Sequence, residues 1–384
     1  MDSLANQKFD VLILGAGPAG AALALRLQAF RPDLSILLVE KSDFQGIRIG
    51  ETLHAEANKL LSTLGIRKAF REQGYLAAPE TSAVWGDENR YYNEFIFSMA
   101  GSGWHLDRRH FDAFLAEQAA RSGATFLKNA VVKSWKKVAE GYAFSLASQM
   151  DHLKEVRARF VVDATGRKAF FASQKGARKI RLDNLIGVFS FYQFENSPGP
   201  KDNSTLVETW KGGWWYSAQL PDNRLVVACM TDSDLVSPYQ LKDKTSWEAL
   251  LKQTKFTSQR IHTASAGSAL TLWPAATQRL EQVAGDHWLA IGDAASTFDP
   301  LSAQGIYKAM RSGIFGAYAI ADFFDGKKNS LWKFEAFIRN EFNAYLEQRL
   351  QHYRAEQRWK DQPFWRRRHQ PNSVVIHQNP SATI

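Results

Sequence analysis

Short apolar runs separated by polar turns fill the first part of the chain. Val11-Leu12-Ile13-Leu14 is apolar and partly β-branched, which predicts a strand buried on both faces. It leads straight into Gly15-Ala16-Gly17-Pro18-Ala19-Gly20, and Ala21 to Leu27 continues with helix formers. A second apolar run, Leu34 to Val39, stops at Glu40. Helical character returns from Ala55 to Leu64, and again after Asp107, an N-cap residue type, as far as Gly123. Short runs at Thr125–Leu127, Ala130–Val132, Tyr142–Leu146 and Val156–Val162 predict strands. The last of them closes on Asp163-Ala164-Thr165-Gly166.

From Leu185 to about Thr271 the pattern becomes alternating. Val188–Phe194, Thr205–Trp210, Trp214–Leu220 and Arg224–Met230 read as half-buried antiparallel strands, turned at Gly212-Gly213 and Pro221-Asp222-Asn223. Trp210, Trp214 and Trp215 either line a pocket or pack the sheet on a core. Trp288–Ile291 returns to strand-then-turn, with a helix expected from Tyr307 to about Phe324. Trp332 to about Trp359 reads as one long helix. A basic, aromatic stretch from Trp359 to His369 follows, and from Asn372 onward a mobile end is expected.

At 384 residues and 45% hydrophobic, the chain buries a large core in one large or two interleaved domains. Cys229 is its only cysteine, so an internal disulfide and a Cys-based metal site are excluded, and no metal is expected. Met1 to Lys8 is polar and no apolar run is long enough to span a bilayer, so a cytoplasmic protein without a membrane span is expected. A net charge of +9 is compatible with nucleic acid, a membrane surface, an anionic cofactor or an acidic protein partner. No nucleic-acid motif accompanies it.

The glycines fit G-x-G-x-x-G between a strand and a helix. Gly15 makes the turn, Gly17 lets backbone N–H groups approach a pyrophosphate, and Gly20 allows helix and strand to pack closely. Glu40 follows Gly20 by twenty residues, the spacing at which a carboxylate meets a ribose hydroxyl. Strand, turn, helix and carboxylate together predict dinucleotide binding. Asp163-Ala164-Thr165-Gly166 adds a tight turn at a strand's C-terminal end, where ligands collect in open α/β sheets. In the loop Gly46 to His54, Arg48 either neutralises an anion or lies in solvent. His54 is either a proton carrier or a structural histidine.

Gly15–Gly20 with Glu40, Asp163–Gly166, and Gly292-Asp293 with Asp299-Pro300 resemble FAD-dependent monooxygenases of the aromatic-hydroxylase type over about residues 9–320. The resemblance implies an α/β fold: an FAD-binding Rossmann-type domain, glutathione-reductase-like, with an inserted antiparallel sheet and a helical C-terminus. The FAD part would be 1–184 and 272–325, with smaller substrate-domain pieces near 75–105. The sheet domain would be 185–271, and the C-terminal region 326–384. The implied cofactor-binding set is Gly15, Gly17, Pro18, Ala19, Gly20, Glu40, Lys41, Arg48, Gly50, Glu51, Arg109, Val132, Asp163, Ala164, Gly166, Gly292, Asp293, Pro300, Gln304, Gly305 and Ile306. Within it Glu40 would bind the adenosine ribose, and Arg109 and Asp293 the phosphate and ribityl regions. The turn at Gly305 would hold the pyrimidine carbonyls, and His54 is the candidate for proton transfer.

Gly50-Glu51-Thr52, Trp104–Arg109 with Phe111-Asp112, and Phe298–Leu301 resemble the flavin-dependent halogenase branch. Halogenases need a lysine some thirty residues past the Gly-Glu segment, and this chain has no lysine between Lys68 and Lys128. Their Trp-x-Trp-x-Ile-Pro signature is degraded to Trp214-Trp215-Tyr216-Ser217-Ala218-Gln219-Leu220-Pro221. Trp85-Gly86, Gly101–Arg108 and Phe298–Ile306 resemble the flavoproteins that mature tryptophylquinone oxidases. That resemblance implies hydroxylation of a tryptophan in a partner oxidase precursor, by molecular oxygen through a C4a-hydroperoxyflavin. The FAD would be reduced by NAD(P)H directly or by a separate reductase. Halogenation or hydroxylation of a small aromatic metabolite, and reduction of isoprenoid double bonds, are the alternatives. The stretch Trp359–His369, with Arg366, Arg367 and Arg368 beside Trp365 and Phe364, is expected to be an accessible docking element whose removal spares FAD.

Overall fold

A computed structural model of the chain describes residues 7–94, 101–148, 151–195, 199 and 202–370. The expected mobile end from Asn372 lies outside them.

The first apolar run forms the strand Lys8–Leu14, at the centre of an eight-stranded sheet. It pairs in parallel with Ile36–Val39 on one side and Asp151–Asp163 on the other. The registers place Leu14 level with both Val39 and Asp163. Trp288–Ala290 adds beyond, with Ala290 opposite Asp163. Parallel pairing therefore delivers Gly15, Glu40, Ala164 and Gly292 to one sheet edge, although they lie far apart in sequence. Ile36–Val39 is buried at every position, as expected of a strand covered on both faces.

Helix Pro18–Phe30 covers one face and packs along helix Gly305–Phe324. The approach is close because Gly313 carries no side chain: a Cβ there would stand 2.3 Å from the carbonyl of Ala19.

The second large sheet has seven strands. Thr271–Pro274, Leu185–Gln193, Arg224–Asp232, Gly213–Leu220 and Thr205–Trp210 run antiparallel in that order. Glu80–Val84 and Tyr91–Glu94 extend it, the former parallel to Thr205–Trp210. Leu76–Ala78 and Gly103–His105 instead join Thr52–Leu53 in a small separate sheet. Trp214 and Trp215 are fully buried on opposite faces of the large sheet. Trp214 Nε1 donates to the Tyr353 hydroxyl, and Trp215 packs on Trp247 at 5.1 Å between ring centroids. Both are core residues.

Two expectations about the C-terminus are corrected. The long helix is Ser330–Ala355 and stops short of Trp359. Glu356, fully buried, ends it by turning inward, where its carboxylate accepts from the Gly86 N–H at 2.9 Å and the Thr209 hydroxyl at 2.8 Å. The basic, aromatic stretch is not an accessible docking element. It forms a last helix, Pro363–His369, in which Phe364 and Trp365 are fully buried. Arg367 and Arg368 both pair with buried Asp232, and Arg367 also with Asp234. Phe364, Trp365, Arg367 and Arg368 are taken up in contacts within the chain, and Arg366 stays exposed.

Among the described residues no helix is long and apolar enough to cross a membrane.

Candidate functional site

The sheet edge builds a cradle from backbone. Gly15 has φ +106°, and a Cβ on it would lie 2.3 Å from the Ala164 carbonyl. On Gly20 a Cβ would lie 2.0 Å from the carbonyl of Gly15. Gly17 differs: an added Cβ meets nothing within 4 Å. The absent side chain at Gly15 and Gly20 serves the fold, whereas at Gly17 it leaves open space before a helix start. That helix has Gly17 as N-cap and no side-chain cap, so its first N–H groups are free for an anion. A pyrophosphate fits this cradle.

Glu40, buried at the end of Ile36–Val39, folds back over the turn. One carboxylate oxygen accepts from the Ala16 N–H at 3.0 Å, the other from the Ser42 N–H at 3.1 Å. Arg48 donates to the Ser42 hydroxyl at 2.7 Å and lies 4.9 Å from the Phe44 ring. Its other nitrogen meets Asp112 at 2.8 Å. Asp112, wholly buried, also takes two donors from Arg108 at 3.0 and 3.1 Å. Arg108 then reaches the carbonyls of Ile49 and Gly50. Helix Arg108–Arg121 thus fixes the glycine-bounded loop through one carboxylate and two arginines.

Arg109, expected at the cofactor, lies at the start of the same helix. Its guanidinium returns to the N-cap Asp107 at 2.9 Å and stays 44% accessible. Asp107 also binds Arg224 at 2.7 Å; burial opposes its ionisation, but these arginines hold its carboxyl well below the usual range. Asp163 holds its own turn, accepting from the Thr165 N–H at 3.0 Å and the Ala172 N–H at 2.9 Å. Lys41 is exposed and Val132 half-buried.

At the far strand Gly292 has φ +60° and Asp293 is paired with Lys308 at 2.9 Å. Burial raises the Asp293 carboxyl, but Lys308, Arg167 and Arg108 bring it below its usual value. Pro300-Leu301-Ser302 forms a single 3-10 turn held by Asp299, whose other oxygen accepts from Tyr353 at 2.7 Å and Arg349 at 3.3 Å. Gln304 caps the next helix without a side-chain bond, and a Cβ on Gly305 meets nothing within 4 Å. Pro300 and Gly305 are exposed, and Ile306 is buried. This is a second uncapped helix start facing open space.

Between the loop 46–54, the start of helix Arg108–Arg121 and the large sheet lies a cavity of about 180 Å³. The loop gives it Ile47, Arg48 and Glu51, the helix start Asp107, Arg108 and Arg109, and the large sheet Phe191, Leu220 and Arg224. His54 lies off it; its Nδ1 accepts from the Glu56 N–H at 3.2 Å, and burial lowers its pKa. Glu51 is 2% exposed, and neither carboxylate oxygen has a hydrogen-bond partner among the described residues. Burial lifts its carboxyl from 4.5 to about 7.

Folding therefore disfavours ionised Glu51. A raised carboxyl pKa means that the unfolded chain releases the proton first, so stability falls as pH rises from 4.5 to about 7. In the flavin-free protein, Glu51→Gln is expected to remove this slope. Relative to wild type it gains about 3 kcal/mol between about pH 4.5 and about pH 8. Urea unfolding at the two pH values checks it; equal slopes would refute it.

Arg108, Asp112 and Lys308 were missed by sequence reasoning. Arg108 and Asp112 stand four apart on one helix, the spacing of an ion pair. Lys308 is a lysine within the apolar stripe of Gly305–Phe324, and it is 2% exposed. A cation at a core position signals a buried partner.

The family described as FAD binding domain matches residues 8–331. The chain is 27% identical to Putative FAD-dependent oxidoreductase LodB of Marinomonas mediterranea, over 94% of this chain and 97% of that one. Its fold superposes on the myxobacterial chondrochloren halogenase CndH with TM-score 0.85 at 20% identity, covering 95% of this chain and 87% of that one. Peptidyl tryptophan dihydroxylase QhpG, essential for tryptophylquinone cofactor biogenesis, superposes with TM-score 0.71 at 22% identity, over 94% and 78% of the chains. With a family match running through the cradle, both uncapped helix starts and the sheet between them, the chain belongs to the FAD-binding-domain family, as an FAD-dependent oxidoreductase.

Proposed function

We propose that this flavoenzyme is a monooxygenase that hydroxylates a tryptophan side chain in a partner protein, a precursor in which that tryptophan becomes a quinone cofactor. The observation that carries the oxygenase reading is the absence of the lysine that halogenation requires. None stands between Lys68 and Lys128, and the described cavity is lined by arginines instead. The likeness to QhpG supports a peptidyl tryptophan as substrate. The likeness to CndH favours halogenation as the competing reading.

In this reading the N–H groups after Gly17 take the FAD pyrophosphate, Glu40 the adenosine ribose and Asp293 the ribityl chain. The turn at Gln304 and Gly305 takes the pyrimidine edge. Bound FAD supplies the redox chemistry, passing two electrons to O₂ and making one oxygen atom electrophilic. The chain's own residues orient the substrate ring and keep water out. Leu106, Phe191 and Leu220 give the cavity apolar walls for an aromatic ring. Electrons come from NAD(P)H directly or through a separate reductase.

With reduced flavin, O₂ and a tryptophan-bearing precursor, product mass should rise by about 16 or about 32 Da and ignore added chloride or bromide. A brominated or chlorinated product, seen by its isotope pattern, would establish the halogenase instead.

A further inference from the structure

We infer that Glu51 is the catalytic residue that binds the indole N–H of the substrate and takes its proton as the new C–O bond forms. This rests on the oxygenase reading above and names the group that serves it, in place of His54.

A buried carboxyl with two unpartnered oxygens is rare, because desolvation without hydrogen bonds is costly. Such a group is explained by a partner that arrives with the ligand. Glu51 is held for that purpose by its backbone. Its carbonyl accepts from the Leu106 N–H at 2.9 Å, just before the helix start that lines the cavity. The backbone N–H groups of Gly50 and Glu51 and the Tyr216 hydroxyl favour its ionised form, but none of them makes a hydrogen bond of good geometry to either oxygen. Arg108 has its nitrogens on Asp112 and on the carbonyls of Ile49 and Gly50. The Tyr216 hydroxyl is engaged with Thr52 Oγ1 at 3.0 Å.

Arg108 and Tyr216 are the charged and titratable groups that act on Glu51, with Arg48, Asp107, Arg109 and Arg224 lining the same cavity. Arg224 and Arg109 are bound to Asp107, and Arg48 to Asp112, so among the described residues no cation pairs directly with the Glu51 carboxylate from the cavity wall, and Arg108 acts on it without a salt bridge. The missing partner is therefore a hydrogen-bond donor. An aromatic ring with one N–H meets this requirement: the ring fits the apolar walls and the N–H meets the carboxylate. With a pKa near neutrality, Glu51 can both take and return a proton.

A π pair of the indole forms the C–O bond with the electrophilic oxygen derived from O₂ and the two flavin electrons. The O–O bond breaks, and its pair leaves with the second oxygen, which ends as water. Positive charge that develops on the ring nitrogen is discharged as the N–H proton moves to Glu51. The ring carbon then loses its proton to water while Glu51 returns its own to nitrogen, restoring the aromatic ring.

The test uses FAD-loaded wild type, Glu51→Gln, Glu51→Asp and Glu51→Leu. Binding of N-acetyltryptophanamide and its 1-methyl analogue is followed by perturbation of the flavin spectrum, and turnover with a short tryptophan peptide. Wild type should bind the N–H compound about tenfold or more tightly than the methylated one at about pH 8, and Glu51→Leu should lose that preference. Turnover should fall about a hundredfold or more in Glu51→Gln, with loss of the acid limb near neutral pH. Glu51→Asp should keep the limb. Equal affinity of wild type for the two compounds, or an unchanged limb in Glu51→Gln, overturns the inference. Binding needs no turnover. A Glu51-dependent preference without any oxygenated product would overturn only the oxygenase reading.

Discussion

Gly17→Trp is expected to give a folded but colourless protein, while Gly20→Ala, the smaller change, destabilises the fold itself. The two positions lie three residues apart in the same motif and fail for different reasons. Gly17 has ordinary backbone angles, φ −70° and ψ −176°, and open space where a Cβ would go. Any L-residue is tolerated there until the cofactor arrives. A side chain then stands where the pyrophosphate should meet the helix start. Losing two charge-assisted hydrogen bonds at about 2 kcal/mol each weakens FAD about a thousandfold. On Gly20 a Cβ lies 2.0 Å from a carbonyl oxygen of the chain itself. That oxygen belongs to a turn pinned between strands, so the overlap costs about 3 kcal/mol or more before any ligand binds. Flavin absorbance after gel filtration and near-ultraviolet circular dichroism distinguish the two. A yellow Gly17→Trp would place the pyrophosphate elsewhere.

Trp365→Ala is expected to destabilise the protein by about 3–5 kcal/mol. Deletion from Trp359 onward should leave no folded, flavin-loaded protein at all. Trp365 packs edge-on against Trp85 at 5.5 Å, rests against Tyr353 and donates to the Trp210 carbonyl at 2.9 Å. The deletion removes that ring, and with Arg367 and Arg368 it removes the counter-charges of Asp232, whose side chain is 3% exposed. An uncompensated buried carboxylate adds about 3–5 kcal/mol. Together these approach the whole stability of an ordinary domain, about 5–15 kcal/mol. Tyr353 also supports Asp299, so the turn at Pro300 loosens with it. A truncated chain that stays folded and yellow would refute this account.

The nucleotide half of the fold was legible because each of its signals is local. A buried strand, a glycine turn and a carboxylate follow one another within a single supersecondary unit, and the antiparallel strands alternate. What was not legible depends on distant partners. Arg366, Arg367 and Arg368 read alike in sequence, yet Arg368 is buried on Asp232, more than a hundred residues away, and Arg366 is exposed. Arg108 and Arg109 are adjacent, and helix geometry alone turns the first inward to Asp112 and the second outward to Asp107. Glu51 belonged to the expected cofactor set by resemblance, but its missing hydrogen-bond partners appear only once the chain has closed around it.

The registers that bring Gly15, Glu40, Ala164 and Gly292 together also dictate when the cradle can exist during synthesis. Strand Lys8–Leu14 finds one neighbour at Ile36–Val39 soon after emerging, but its other edge waits for Asp151–Asp163. The first helix packs partly on Arg108–Arg121 but lacks its most extensive partner until Gly305–Phe324 arrives. Pairings of such high sequence separation form slowly, and an open parallel edge beside an apolar helix is the kind of surface that aggregates. FAD therefore finds no complete site on a nascent chain until Gly305–Phe324 has been made, and binds only chains that contain it. Flavin supply then draws those chains to the native side by mass action, so the yield of folded protein should track the flavin available in the host during expression.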